Sequence, residues 1–408
     1  MKGRTLKYIL LLVVLLLLLS AVPAQGAPPS SPPFAPGRIL VKFQPWASPA
    51  DRAALHRVHG GLPIETIPGI EVEVVRVPAA TEKAKVAAYA RSPFVAYAEP
   101  DYIAYALDTP NDPYFSSQWG LNNTGQTGGT YDADIDAPEA WDVTHGCFTV
   151  TVAILDTGID QDHEDLASKV LTYTNFTDSP DADDHYGHGT HVAGIVAAAT
   201  DNGTGVAGVG YNSSLWNVKV LNDQGSGYYS WIANGIRWAA DNGAKVINMS
   251  LGAKAKSRTL EDAVNYAWKK GVVLVAAAGN DGNSSPNYPA YYTNCIAVAA
   301  TDHNDQKASF SQYGKWVDVA APGVDIFSTF PNHSCVLGKN NYGCGSGTSM
   351  ATPHVAGVAA LVWATGQCST NSCVRQRIES TADPIPGTGT YWRWGRVNAC
   401  KAVGGACN

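Results

Sequence analysis

No cysteine precedes Cys147 in this 408-residue chain, and no two of its 8 cysteines stand in C-x-x-C spacing. The second absence removes the usual sequence support for a structural zinc. Positive charge is also short, with 28 Lys and Arg against 35 Asp and Glu and a net charge of -7. Nothing electrostatic therefore favours nucleic acid or an anionic membrane as a partner. Charged residues make up 15% and hydrophobic residues 45%, the balance of a well-packed globular protein. Beyond the first 20 or so positions, no apolar run is long enough to span a bilayer.

What the N-terminus does have is Lys2, Arg4 and Lys7 ahead of an apolar run from Tyr8 to Leu19, followed by SAVPAQGA. A charged start, a short apolar middle and small residues predict a signal peptide over 1–26, cut near Ala24 or Gly26, and a secreted, extracellular product. A retained anchor is the alternative. In an exported protein an even number of cysteines reads as disulfides. Proximity suggests Cys335 with Cys344, Cys368 with Cys373 and Cys400 with Cys407, leaving Cys147 and Cys295 by elimination. Eight cysteines allow 105 pairings, so the set is one choice among many.

Residues 27–37 are Pro-rich and read as a linker. Residues 38–107 alternate strand and helix signals: RILVKF, a helix over PADRAALHRVH capped by Ser48, EVEVVRV, a helix over TEKAKVAAYA, and FVAYAEPDYIAYA. The pattern predicts a small ferredoxin-like α+β domain. It lacks cysteine, as suits a segment discarded after folding. From 108 to 408, strands such as TVTVAILD, KVINMSL and VVLVAAAGN alternate with helical SWIANGIRWAADNG and TLEDAVNYAWKKG. That alternation predicts an α/β fold, a largely parallel doubly wound sheet with helices on both faces. Reactive residues in such folds gather beyond the carboxyl ends of strands, where Asp156 and Asn280 fall.

Three segments carry chemistry: VAILDTGID around Asp156, YGHGTHVAG around His188 and GTSMATPHVAG around Ser349. Asp, His, Ser is one of three chain orders in which the serine-protease triad occurs. Each segment has a bland alternative: Ser349 as a helix cap, Asp156 as a loop cap, and His188 or His191 in a metal site with His185, Asp181, Asp183 and Asp184. Gly187 and Gly189 argue for a turn at His188, which makes it the base and His191 a packed residue. Asp156 at the end of a buried strand needs a partner, and an imidazole N–H supplies one while fixing the tautomer. Asn280, in AAAGN, offers an amide to a developing oxyanion.

DTGID, GHGTHVAG, AAAGN and GTSMATPHVAG together resemble the subtilisin-like serine proteases, and NDPYFSSQ, PNYPAYYTN and VDVAAPG look most like the thermitase branch. The resemblance runs from about 108 to 365; the part after about residue 366 shows no counterpart beyond its bridges. It implies a triad of Asp156, His188 and Ser349, with Asn280 and the Ser349 N–H as oxyanion hole. It implies that Gly225, Ser226 and Gly227, and Ser250, Leu251 and Gly252, pair with an extended substrate, a form of β-augmentation. Tyr229 then lids the P4 pocket, and Gly279 with the SLG segment and the surroundings of Asn287 line the P1 pocket. Small, neutral lining implies apolar or aromatic P1 residues with broad tolerance, Asp281 at the rim admitting some basic ones.

The same resemblance makes 38–107 a chaperone and inhibitory propeptide of its own enzyme, released by processing near Leu107, and implies a monomer acting on protein and peptide substrates. It implies a structural Ca²⁺ held by Asp112, Asp165 and Asn202 with the carbonyls of Thr204 and Val206, an all-oxygen set. Thermitase-like enzymes carry a cysteine beside the histidine pair; this chain has Val192. A protease-shaped binding protein without chemistry is the alternative function.

Overall fold

The structure, a computed structural model, describes residues 34–102, 109–405 and 407. The expected leader, the linker up to residue 33 and the processing bond near Leu107 lie outside the described residues. The N-terminal domain runs β1 (Phe34–Phe43), α1 (Pro49–His59), β2 (Leu62–Ile67), β3 (Val72–Arg76), α2 (Glu82–Ala90) and β4 (Val95–Tyr102). Its strands pair antiparallel in the order β2-β3-β1-β4, the ferredoxin-like arrangement. Ile39, Val41, Val75 and Tyr89 form its core. Ser48 caps α1 in a reciprocal capping box with Asp51.

β1 begins inside the stretch read as linker. Phe34 is buried and pairs with Tyr102, and the register breaks between Phe34 and Ile39, which lets Pro36 sit in a strand. β2 has no buried residue, so no alternating pattern marks it in the sequence.

The larger domain is built on an eight-stranded sheet. Its strands are β5 (Thr151–Asp156), β6 (Val170–Asn175), β7 (Ser214–Lys219), β8 (Val246–Met249), β9 (Val273–Ala277), β10 (Ile296–Thr301), β11 (Val319–Pro322) and β14 (Gly395–Arg396). The order is β14-β11-β10-β9-β8-β5-β7-β6, and every pairing is parallel. Alternate residues feed opposite faces. Val152 and Ile154 meet α4 (His188–Ala197) and α7 (Thr348–Ala364) in one core, while Ala153 and Leu155 meet α5 (Tyr229–Asp241) and α6 (Arg258–Lys269) in the other. Burial on both faces explains why these strands read as unbroken apolar runs. A small hairpin, β12 (Ile326–Thr329) with β13 (Tyr342–Gly345), stands apart from the sheet.

The chain after residue 366 belongs to this domain. α8 (Asn371–Ser380) and α9 (Ala399–Val403) pack on the first core, α3 (Ala137–Trp141) lies against α9, and β14 closes one sheet edge. Its two bridges, Cys368–Cys373 and Cys400–Cys407, form as spacing suggested. The other two do not. Cys147 packs on one face of the sheet and Cys295 is buried in the core of the other, so the sheet separates them. Cys335 turns its sulfur toward Gly187, while Cys344 is exposed on β13 opposite Phe327.

Candidate active site

β5 ends on Asp156, which is wholly buried. Its Oδ1 accepts from His188 Nδ1 at 2.7 Å and from Thr157 N at 2.8 Å, and Oδ2 is buried without a hydrogen-bond partner. The imidazole is therefore the main compensation for that charge. His188 opens α4 directly after Gly187, whose φ of +105° favours glycine. Gly189 is demanded by close approach: a Cβ there would strike Gly158 O. The order Gly-His-Gly thus lets the helix start press against the end of β5.

Burial alone would lower the His188 pKa, but the charge and hydrogen bond of Asp156 together with the Asp184 carboxylate outweigh it and hold the imidazole above its ordinary value of 6.5. His191 behaves oppositely. It is buried, bonded through Nε2 to Ile326 O (3.1 Å) and Gly343 O (3.2 Å), and pushed down to about 3 by burial. It is a neutral packed residue, as the glycine pattern suggested. Asp184 is not a metal ligand but a knot. It accepts from Thr157 Oγ1, Thr190 Oγ1 and the N–H groups of Gly187 and Thr190 at 2.7–2.8 Å, tying the Asp156 turn to the start of α4.

Ser349 is the second residue of α7, and its hydroxyl donates to Ser250 O at 3.0 Å. Among the described residues it makes no hydrogen bond to His188. Catalytic hydrogen bonds are often loose without substrate, and a nucleophilic role would require this hydroxyl to turn from Ser250 to His188 Nε2. Asn280 follows β9. Its Oδ1 accepts from both the N–H and the Oγ1 of Thr348, each at 2.9 Å. With its oxygen engaged twice, the amide must present Nδ2 outward. A Cβ built on Gly347 would lie 3.4 Å from Asn280 Nδ2 and 3.6 Å from Ser349 N, so the two nitrogens lie close to one spot. Such a pair stabilises an oxyanion.

Ser349, Asn280, Gly279, Leu251 and Gly252 line one cavity of about 300 Å³. Ser250 braces it by donating to Ser349 O at 2.8 Å. Gln312, which no sequence motif singles out, also lines it: its Nε2 donates to Ser285 O at 2.5 Å while Oε1 lies against Gly279. Asp281 sits at the rim paired with Lys254 at 3.2 Å, both exposed. Gly225, Ser226, Gly227 and Tyr229 are outside this lining. The first three form a turn closed by Asn222, and the Tyr229 hydroxyl donates to Ala255 O at 2.6 Å. Gly225 rests on the Tyr186 ring, which joins that turn to the His188 segment.

The expected cation ligands converge elsewhere. Asp112 accepts from Asp201 N (2.8 Å) and Asn202 N (3.4 Å), and Asp165 from Asn202 Nδ2 (2.9 Å) and Val206 N (2.8 Å). Burial raises both carboxyl pKa values despite these donors. Among the described residues no hydrogen bond reaches Thr204 O or the carbonyl of buried Val206. Two buried carboxylates beside free carbonyls fit a hard divalent cation. In this arrangement Asn202 turns its amide nitrogen to Asp165 and its oxygen to Thr204 N.

A parallel α/β sheet with a buried carboxylate–imidazole pair, a helix-start serine and two convergent donors defines a serine hydrolase. Residues 149–398 match the subtilase family model, and residues 20–101 match the fervidolysin N-terminal prodomain. Thermitase of Thermoactinomyces vulgaris is 54% identical over 297 residues, 72% of this chain and 99% of that one. A thermophilic serine proteinase of Bacillus sp. (strain AK1) is 45% identical over 372 residues, 91% and 88% of the two chains. A solved protease of Pseudoalteromonas arctica superposes with TM-score 0.65 at 36% identity, covering 72% of this chain and 99% of its own. The chain belongs to the subtilase family of serine proteases and carries a prodomain.

Replacing Asn280 by Leu removes one donor and takes from the Thr348 N–H and hydroxyl the acceptor they share. In subtilisin itself, loss of the corresponding donor costs roughly 10²–10³ in turnover, and that figure sets the expected size. Steady-state kinetics on a peptide ester should show the loss in kcat with little change in KM.

Proposed function

We propose that the protein is a secreted endopeptidase in which Ser349 attacks the peptide carbonyl, His188 takes its proton and returns it to the leaving amine, and Asp156 holds the imidazole. Asn280 Nδ2 and Ser349 N receive the oxyanion. The acyl-enzyme on Ser349 is then hydrolysed by water, with His188 again as base. The observation that carries this reading is the 2.7 Å bond between buried Asp156 and His188 at the start of α4, a helix packed on α7, whose Ser349 shares one cavity with the Thr348-locked Asn280. Ser250, Leu251 and Gly252 with Gly225, Ser226 and Gly227 pair with the substrate backbone, and Tyr229 closes over P4. The N-terminal domain acts as folding aid and inhibitor, and the enzyme frees itself by cleavage near Leu107. No helix among the described residues is long and apolar enough to cross a membrane.

The P1 cavity lacks a free buried acid, and Asp281 is already paired with Lys254. Cleavage profiling on a mixed peptide library should give apolar and aromatic P1 residues with broad tolerance. Dominance of Arg or Lys at P1 would sink this assignment.

Asp112, Asp165, Asn202, Thr204 and Val206 would hold Ca²⁺, which supplies charge balance for the two carboxylates and ties the start of the domain to the 201–206 loop. A site filled at a thousandfold its Kd adds about 4 kcal/mol, on the order of 10 °C in Tm for a domain of this size. Chelation should lower the melting temperature by that order, and Asp165→Ala should erase the calcium dependence. A melting curve indifferent to chelator in the parent enzyme would rule out this calcium site.

A further inference from the structure

We propose that Asp183, His185 and His333 form a site for a borderline transition-metal cation of the Zn²⁺ class, clipping the loop after β12 onto the segment that carries His188. The ligand-capable atoms of these three half-buried residues all lie within 4.8 Å of one another. His333 Nδ1 faces Ser334 O at 3.2 Å, so an N–H there donates to the carbonyl and leaves the lone pair on Nε2. That nitrogen is buried and lies 3.3 Å from Asp183 Oδ2, yet it is not aligned for a hydrogen bond. In the neutral ring that lone pair would confront a carboxylate oxygen, a contact that asks for a proton or a metal cation between them. In a tetrahedral zinc site, bonds of about 2.0–2.1 Å place donors about 3.4 Å apart. The Asp183–His333 separation already matches.

His185 completes the set from the other side. Its ring lies 5.5 Å from that of His333, and Nε2 is held by Asp181 at 3.2 Å. A carboxylate behind an imidazole is the arrangement that orients metal-binding histidines. Two imidazoles with one carboxylate select zinc, cobalt, nickel or copper over calcium, whose sites are built from oxygen. The site is separate from the Asp112 and Asp165 cluster.

Its position gives it leverage. The 330–341 loop lies on the pre-His188 segment through Val336 N to His185 O (3.0 Å) and Leu337 N to Tyr186 O (3.1 Å). Tyr186 in turn supports Gly225. A cation bridging His333 to Asp183 and His185 fastens the same two segments through side chains.

The test uses the full chain carrying Ser349→Ala, which cannot digest itself, in excess calcium. Titration with Co²⁺ should produce the visible absorption of a tetrahedral site, and Zn²⁺ should displace it. His333→Ala and His185→Ala should each weaken Co²⁺ binding by at least about a hundredfold, while keeping the parent's calcium-dependent melting. Absence of the band, or its survival in the double histidine variant, would overturn the site and leave a plain His333–Asp183 ion pair.

Discussion

Ser349→Ala should lower kcat by about 10⁶ while leaving the protein folded and able to bind peptide. The size is the one found in subtilisin, where loss of the serine alone costs about as much as loss of the whole triad. This structure explains why the fold should survive. Ser349 Oγ makes one bond, to Ser250 O, and the neighbouring anchor, which Ser250 Oγ donates to the Ser349 carbonyl, uses no Ser349 side-chain atom and stays. The helix that follows is held by Val355, Val358, Leu361 and other buried residues, not by the hydroxyl. The oxyanion donors also remain, so residual hydrolysis above the uncatalysed rate is expected. Burst kinetics with an activated ester and peptide binding by the same variant check both halves. A full loss of binding would point to a damaged site rather than a missing nucleophile.

Asp156→Asn should cost about 10⁴ in kcat and move the acid limb of the pH profile downward. In the parent, His188 acts as base only when neutral. Its pKa stands above 6.5 because the charge and hydrogen bond of Asp156, with a smaller contribution from Asp184, outweigh the opposing effect of burial. Activity therefore falls as pH drops through a value above 6.5. The asparagine removes the charge and keeps the burial, so the imidazole titrates lower. An amide nitrogen facing Nδ1 also favours the tautomer with its proton on Nε2, which cannot accept from Ser349. A variant that lost rate with an unmoved pH profile would mean Asp156 merely positions the ring.

The sequence brought out the candidate residues because each stands within two positions of a glycine. Gly189 is there because any side chain would collide with Gly158, beside Asp156. The supporting groups were harder to see. Thr157, Asp184 and Thr348 act through hydrogen bonds to partners as far as 69 positions away, and a lone Thr or Asp carries no spacing signal. Asp184 even suggested metal binding, since four acids and histidines crowd 181–185. The threonine in GTS was visible as part of a motif, but only the fold brings it to Asn280.

The disulfides mark the same boundary. Cys368–Cys373 and Cys400–Cys407 join near neighbours, whereas Cys335 and Cys344, also close in sequence, stay unpaired. Pairing Cys147 with Cys295 by elimination ignored which face of the sheet each occupies, and that needs the alternation of β10 to be placed in three dimensions. β14 was missed because two residues, Gly395–Arg396, carry no periodicity. They become a strand only because β11 offers an open edge.

The most direct test of the central claim is the site of reaction with a fluorophosphonate. Peptide mapping of the labelled, processed enzyme should find a single adduct on Ser349, its formation slowed by orders of magnitude in His188→Ala. No adduct on folded protein, or one on another serine, would contradict the assignment of Ser349 as a nucleophile activated by His188.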